Sequence, residues 1–280
     1  MDSLVGTWVD GWVVSRGAAP PRVEPWGWTI DMGQAEHVSR HVLAATGDAV
    51  EEATVREVAD AVTGAGVWLK VFDDPARVGG WLGPGWWIDP EPGYLMTCRV
   101  PEGTPAAPAV PEGFRLRVWT RAGVTRVLLA APDGSLAARG QLAVGGATGA
   151  RGQFADGGVT GARGQHTHSG MTTGHGQLTD GGATGARGQF ADGGVTGVVD
   201  QIETAPAHRR KGLGSHVMSV LHGRAAEQGV GTLVLAGTPA GRALYEHLGW
   251  RTEAPLTSAK FTGGGAWDTA PGRRTPTAHR

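Results

Sequence analysis

The stretch "HRRKGLGSHVMSVL", residues 208–221, sets three bases against Gly-Leu-Gly and runs straight into an apolar periodicity. Upstream, Gln201 to Thr204 end a strand that Pro206 stops. Downstream, Val217, Val220, Leu221 and Ala225 follow helical spacing and predict a helix from about Ser215 to Gln228. Gly212 and Gly214 lack Cβ atoms, so the backbone there can close on a bulky anion, and positive φ is open to it. The helix N-terminus adds partial positive charge. Arg209, Arg210 and Lys211 add whole charges. Together they predict a seat for a diphosphate.

Two familiar diphosphate loops are excluded. A Rossmann fingerprint needs a third glycine that "GLGSHV" lacks, and no GxxxxGK[ST] segment is present. What remains is R-x-x-G-x-G, read as Arg209, Gly212 and Gly214, after a strand that stops at a proline. This resembles the acetyl-CoA pyrophosphate loop of the GNAT superfamily of N-acetyltransferases. A second segment, "TPAGRALYEHLGW" at 238–250, resembles a later motif of the same superfamily, where a tyrosine precedes a Leu-Gly-aromatic helix end. Thr238 reads as its N-cap, Pro239 as its first helical residue and Gly249 as its stop. The superfamily often has Asn where Thr238 stands.

The resemblance carries implications for the site. Tyr245 would act as general acid toward the CoA sulfur. Matching Pro206 to the superfamily's proline puts Ile202, Glu203 and Thr204 at positions that contact the pantetheine arm. Arg209, Arg210, Lys211, Gly212, Leu213, Gly214 and Ser215 would hold the pyrophosphate, with Arg210 or Lys211 also available to a 3′-phosphate. An attacking amine must lose a proton, so a carboxylate on this strand is useful. Asp200 and Glu203 are both candidates. On a regular strand they point to opposite faces unless a bulge changes the parity.

Composition sets the surroundings. The 280 residues carry 25 Lys+Arg against 26 Asp+Glu, a formal charge of −1, which argues against nucleic acid as partner. A hydrophobic content of 40% is enough for a sizeable core. The single cysteine, Cys98, allows no intramolecular disulfide and no cysteine-based zinc site, so a reducing cytoplasm is expected. The N-terminus lacks a basic stretch followed by an apolar run, and no window is long and apolar enough for a membrane span. Neither a signal peptide nor a membrane partner is expected. His166, His168 and His175 have a ligand-like spacing but sit in a Gly-rich segment with no sign of a preformed pocket, so no metal is expected. Trp26, Trp28, Trp86 and Trp87 read as packing residues. Ser258, on the strand expected to close the sheet, is expected to face the acceptor site.

Glycine is abundant, 48 residues, because of an internal repeat. "ARGQFADGGVTG" occurs at 150–161 and again at 186–197, and "ARGQLAVGGATG" at 138–149 is a close relative. Excising 150–197 joins "SLAARGQLAVGGATG" to "VVDQIETAP", two apolar runs with a Gly-rich turn between them, an ordinary hairpin. The repeat is therefore expected to be a flexible insertion. "PEGTPAAPAVPEG", 101–113, reads as a linker, and 263–280 as a disordered tail.

The expected architecture is an α/β (α+β) fold with a mixed central sheet and flanking helices. A catalytic domain over 114–262 follows an N-terminal α/β region, 1–100, that reads as a degenerate sister domain covering the acceptor side. In that region "WGWTID" and "VWLKVF" read as strands, while "AEHVSRHVLAA" and "DAVEEATVREVADAV" read as helices. Only Arg121 to Val124 join "FRLRVWT" to the next strand, so the two helices that usually shape the superfamily's acceptor pocket are missing there. The expected activity is transfer of an acetyl group from acetyl-CoA to a primary amine, on a small molecule or a peptide, by direct attack in a ternary complex. The alternatives are a non-catalytic acyl-CoA-binding regulatory module and an interaction protein built around the repeat.

Overall fold

The structure, a computed structural model, describes residues 3–101, 103, 108–144 and 194–263. The repeat units between 145 and 193 (including His166, His168 and His175), most of the linker's centre and the tail beyond 263 lie outside the described residues.

The N-terminal half runs α1 (Leu4–Arg16), β1 (Arg22–Glu24), β2 (Gly27–Gln34), β3 (His37–Thr46), α2 (Glu52–Asp60), β4 (Val67–Phe72), α3 (Pro75–Gly79), β5 (Trp86–Ile88) and β6 (Gly93–Arg99). The C-terminal half runs β7 (Arg115–Arg121), β8 (Val124–Ala130), β9 (Leu136–Val144), β10 (Val195–Thr204), α4 (Leu213–Glu227), β11 (Val230–Gly237), α5 (Pro239–His247) and β12 (Arg251–Phe261). Both halves contain the same series: a parallel strand pair joined by a helix, then a short helix and closing strands. β3 pairs with β4 in parallel, and β10 with β11.

The closing strands are exchanged. β6 ends the N-terminal half yet pairs with β11 of the other half. β12 ends the C-terminal half yet pairs with β4 through Thr257 to Lys260, and with β6 through Arg251 to Leu256. One sheet results, in the order β1-β2-β3-β4-β12-β6-β11-β10-β9-β8-β7, with β5 alongside β12. This is the mixed sheet with flanking helices that the sequence predicts.

Helices α2 to α5 lie on one face. There Leu69, Val71 and Ala259 pack under α2 and α3, and Leu142, Val199, Leu233 and Leu235 under α4 and α5. Among the described residues α1 alone covers the other face, where Val5, Trp8, Val9 and Trp12 bury Val42, Phe72, Leu95, Val198 and Val234. Its contact with β10 is close enough that a Cβ at Gly11 would run into Val198. Ser3 caps its start, accepting from the Gly6 amide at 3.1 Å, and Gly17 ends it at φ +60°.

Three sequence readings need correction. Residues 35–45, read as helical, lie largely in β3. Val42 faces α1 and Leu43 faces α2, so both are buried. A strand covered on both faces loses its polar–apolar alternation. Helix α1 went unread although Val5, Val9 and Val13, with Trp8 and Trp12, repeat at i, i+4. The end of the last repeat unit, Val195 to Gly197, belongs to β10 and pairs with Val230, Thr232 and Leu233. The short β7–β8 link is a two-residue turn with positive φ at Ala122 and Gly123, so no helices stand there.

Candidate active site

The parallel pair β10–β11 is joined over Val195 to Val198, and no pairing to β11 continues from Val199 to Thr204. On its other side β10 keeps its ladder with β9, but with a break in register: Asp200 pairs with Gln141 and Glu203 with Arg139. The extra residue is absorbed at Gln201, whose φ is +54°. Gln141 and Arg139 are two apart, so they share a face. Asp200 and Glu203 therefore share it as well, and the bulge has changed the parity that a regular strand would impose. The strand leaves a gap beside β11 just where these two carboxylates stand.

Below that gap the chain turns through Pro206 to His208 and enters α4. Arg210 and Gly212 both have positive φ, +62° and +72°. The first helical hydrogen bond runs from the His216 amide to Gly212 O at 3.0 Å. The amides of Leu213, Gly214 and Ser215 thus have no helical acceptor. No side chain caps them either, whereas Ser3, Asp74 and Thr238 cap α1, α3 and α5. Successive free amides at a helix start with alternating backbone hand form an anion-binding nest. A Cβ on Gly212 would meet nothing, so the approach is open. A Cβ on Gly214 would lie 3.3 Å from Thr204 Oγ1 and 3.1 Å from Leu244 Cδ2, so that glycine lets the helix sit close to β10 and α5.

The other residues singled out from sequence divide by what their side chains do. Leu213 is buried in the core and Ile202 packs partly buried against it, so only their backbone groups are available. Arg209 folds back, its Nε donating to Thr204 O at 3.3 Å. Arg210 and Lys211 are exposed. Tyr245 is 6% exposed and packs against Gly237 and Gly241. Burial, and then the charge of Asp200, push its hydroxyl up to about 12. Tyr245 lies on the α4–α5 side of the sheet and Asp200 on the α1 side, so the two sense each other through the gap between β10 and β11. Thr238 caps α5, accepting from the Gly241 amide at 3.2 Å.

The two carboxylates are not equivalent. Asp200 is 12% exposed, and its oxygens accept from Arg16 Nε at 2.6 Å, Arg16 Nη2 at 2.9 Å and Ser15 Oγ at 3.1 Å. Glu203 is 49% exposed and pairs with Arg139 at 2.8 Å on the rim. Sequence reasoning did not find Ser15 and Arg16: they lie about 185 positions from Asp200, and their only local signal is the Trp/Val periodicity of α1. It also did not find Arg40 and Lys70, which stand on the same sheet face. Burial and Arg16 lower Arg40 to about 10, against the opposing effect of Asp200. Burial and Arg40 lower Lys70 to about 7, against Asp89.

The N-terminal half has a corresponding strand–helix junction between β3 and α2. It carries Asp48, Glu51 and Glu52 where the other carries Arg209, Arg210 and Lys211. A cavity of about 430 Å³ opens there, lined by Trp26, Leu43, Ala49, Glu51 and Glu57. Its acids at a helix start repel a diphosphate. Among the described residues no group of three His, Cys, Asp or Glu side chains is placed to hold a metal ion. No helix there is long and apolar enough to cross a membrane.

Splayed parallel strands, a bulge beside the gap and an uncapped Gly-bearing helix start define a fold of the GNAT type. Residues 174–250 match the model of the Acetyltransferase (GNAT) family. The chain is similar to a GCN5-related N-acetyltransferase from Kribbella flavida, with 16% identity and a TM-score of 0.52 over 94% of this chain and 97% of that one. It is also similar to a putative GNAT-family acetyltransferase from Novosphingobium aromaticivorans, with 14% identity and a TM-score of 0.46 over 92% and 96% of the two chains. A GCN5-related N-acetyltransferase-like protein from Streptococcus suis gives 12% identity and a TM-score of 0.47 over 92% and 95%. No curated protein matches the chain.

Proposed function

We propose that the protein transfers an acetyl group from acetyl-CoA to a primary amine, on a small molecule or peptide, by direct attack while both substrates are bound. The observation that carries this is the length of β10 from Val199 to Thr204 that has no partner on its β11 side, together with the free amides of Leu213, Gly214 and Ser215 that follow it in the chain. An extended amide-bearing arm can take the missing ladder positions at Ile202 to Thr204, while the attached diphosphate meets the helix start. Arg210 and Lys211 add charge at the mouth. The N-terminal half is a degenerate sister whose acids at Asp48, Glu51 and Glu52 exclude a second diphosphate.

Bond making needs the amine nitrogen to attack the thioester carbonyl, lose a proton and expel the thiolate. Glu203 is the better base. Its pair with Arg139 is exposed, and such pairs contribute about 0–1 kcal/mol, so the carboxylate is readily released. Asp200 has three donors in a nearly closed setting, and separating it from Arg16 would strand a charge. Its role is to fix α1 against β10 and to keep Tyr245 protonated. The Tyr245 O–H then donates to the departing sulfur. α1 stands in for the helices missing between β7 and β8 and walls the acceptor side.

The ion pairing of both carboxylates favours one other reading, an acyl-CoA-binding module without turnover. Titrating the protein with acetyl-CoA, then measuring thiol release over a panel of primary amines, separates the two. Selective acetyl-CoA stabilisation of about 2.7 kcal/mol at one hundred Kd is expected from linkage. Binding without amine-dependent release supports the module. No selective binding over NAD or inorganic phosphate sinks both.

A further inference from the structure

Three cations stand along the sheet face that carries α1: Arg16 at the end of that helix, Arg40 on β3 and Lys70 on β4. Arg16 has its counter-ion in Asp200. Among the described residues the other two touch no carboxylate. The Arg40 guanidinium lies 4.7 Å from the centroid of the Trp12 ring, and its Nε is buried with no hydrogen-bond partner. Lys70 is 9% exposed; its ammonium donates to Ser258 Oγ at 2.6 Å and lies 4.8 Å from the centroid of Trp68. Asp89 is within electrostatic reach of Lys70, and its Oδ1 accepts from the Glu91 amide. His37 and Lys260 complete the surroundings, with Lys260 paired to Glu36.

Strand register makes Arg40 and Lys70 diagonal neighbours, because Arg40 pairs with Trp68 and Val42 with Lys70. Each feels the next cation in the row as repulsion, Lys70 from Arg40 and Arg40 from Arg16. A hydroxyl and two indole faces substitute for water around a cation but do not neutralise it. Packing alone gives no reason to place two poorly solvated cations side by side without an acid.

Their position ties them to the transfer site. Between β4 and β11 the chain direction reverses three times, through β12 and β6. The N-terminal ends of β3 and β4 therefore lie at the same sheet edge as the C-terminal end of β10. Arg40 and Lys70 are each the fourth residue of their strands, on the α1 face that also carries Asp200 and Glu203. Arg40 feels the charge of Asp200 directly.

The geometry points to an acceptor that carries an anionic group, carboxylate or phosphate, seated between Arg40 and Lys70 with its amine directed along the α1 face toward Glu203. This rests on the acetyl-transfer reading. The N-terminal half thus supplies acceptor specificity to a reaction whose donor the C-terminal half holds. The chemistry is that of an amino acid or an amino phosphate, in which one anion supplies the charge both cations lack.

The test compares matched primary amines: glycine with glycinamide, and phosphoethanolamine with ethanolamine. Direct calorimetric binding and acetyl-CoA-dependent turnover are both read. Charge-assisted contacts predict about a ten- to hundredfold preference for the anionic member of at least one pair. Arg40→Gln and Lys70→Met abolish that preference, while Arg224→Gln, on α4 and paired to Glu227, keeps it. Which pair shows the preference distinguishes carboxylate from phosphate. Equal binding and turnover within both pairs, or a preference that survives both substitutions, overturns the proposal. Acetyl-CoA titration is run separately. Its failure removes the transfer reading and leaves the anion comparison to be judged on calorimetry alone, where a lost preference in either folded variant still counts for it.

Discussion

At Gly212 the backbone sits at φ +72° with nothing within 4 Å of where a Cβ would stand. An alanine there has room but not the conformation. Gly212→Ala is expected to cost about 1 kcal/mol in stability and to weaken acetyl-CoA binding by tilting the free amides of the first turn. Calorimetry on the folded variant reads the second effect apart from the first. Tyr245→Phe keeps the buried ring and removes the donor, so turnover should fall by about a hundredfold or more with acetyl-CoA affinity preserved. Lys70 gives a pH signature. Its proton affinity is lowered from 10.5 to about 7 in the folded chain, so above pH 7 the unfolded chain holds a proton that the folded one lacks. Stability attributable to this residue then rises with pH between 7 and 10.5. Lys70→Met should therefore melt above the wild type at pH 6, with the gap closing toward pH 10.5. A gap that stays constant across that range would exclude a buried titrating ammonium at this position. Gly212, Gly214 and Tyr245 were legible in the sequence because loop and helix-end chemistry is local. Arg16, Arg40 and Lys70 were not, because only tertiary pairing brings them to one face.

Helix α1 is the element on which the proposed acceptor face depends. It lies against β10 so closely that Gly11 has no space for a side chain beside Val198. Gly11→Val should push the helix off the sheet, costing about 1–3 kcal/mol as overpacking does, and should loosen the Arg16 grip on Asp200. Denaturant unfolding measures the first. The acceptor KM is the second probe, and it should rise more than the acetyl-CoA KM. The helix itself could have been found from its Val and Trp spacing. Strand β3 could not be told from a helix by periodicity, because both of its faces are covered. The bulge at Gln201 is likewise absent from any local pattern, yet it decides that Asp200 and Glu203 share a face.

At the scale of the molecule, the repeat's place in the sequence predicted that the strands flanking it form a hairpin, and β9 and β10 do pair antiparallel. Val144 of β9 pairs with Gly197 of β10, so the two strands meet directly across the intervening segment. Deleting 150–193, which spares β10, should leave the melting temperature and acetyl-CoA binding near those of the full chain. Loss of binding would give the repeat a part in the site. The exchange of β6 and β12 was not legible, since strands of similar composition carry no label for their partner. Ending the chain after Trp250 would strip β12 from both β4 and β6 at once. Neither half should then fold alone, and limited proteolysis should release no stable fragment.

The late position of β12 also sets an order of events during synthesis. β4 emerges from the ribosome long before Thr257 to Lys260 exist to pair with it. Until then its edge is an open template for any passing strand, a hazard that folded proteins cover. The nascent N-terminal half must therefore wait, guarded by its own transient contacts or by a chaperone, for the last strand to arrive and close the sheet.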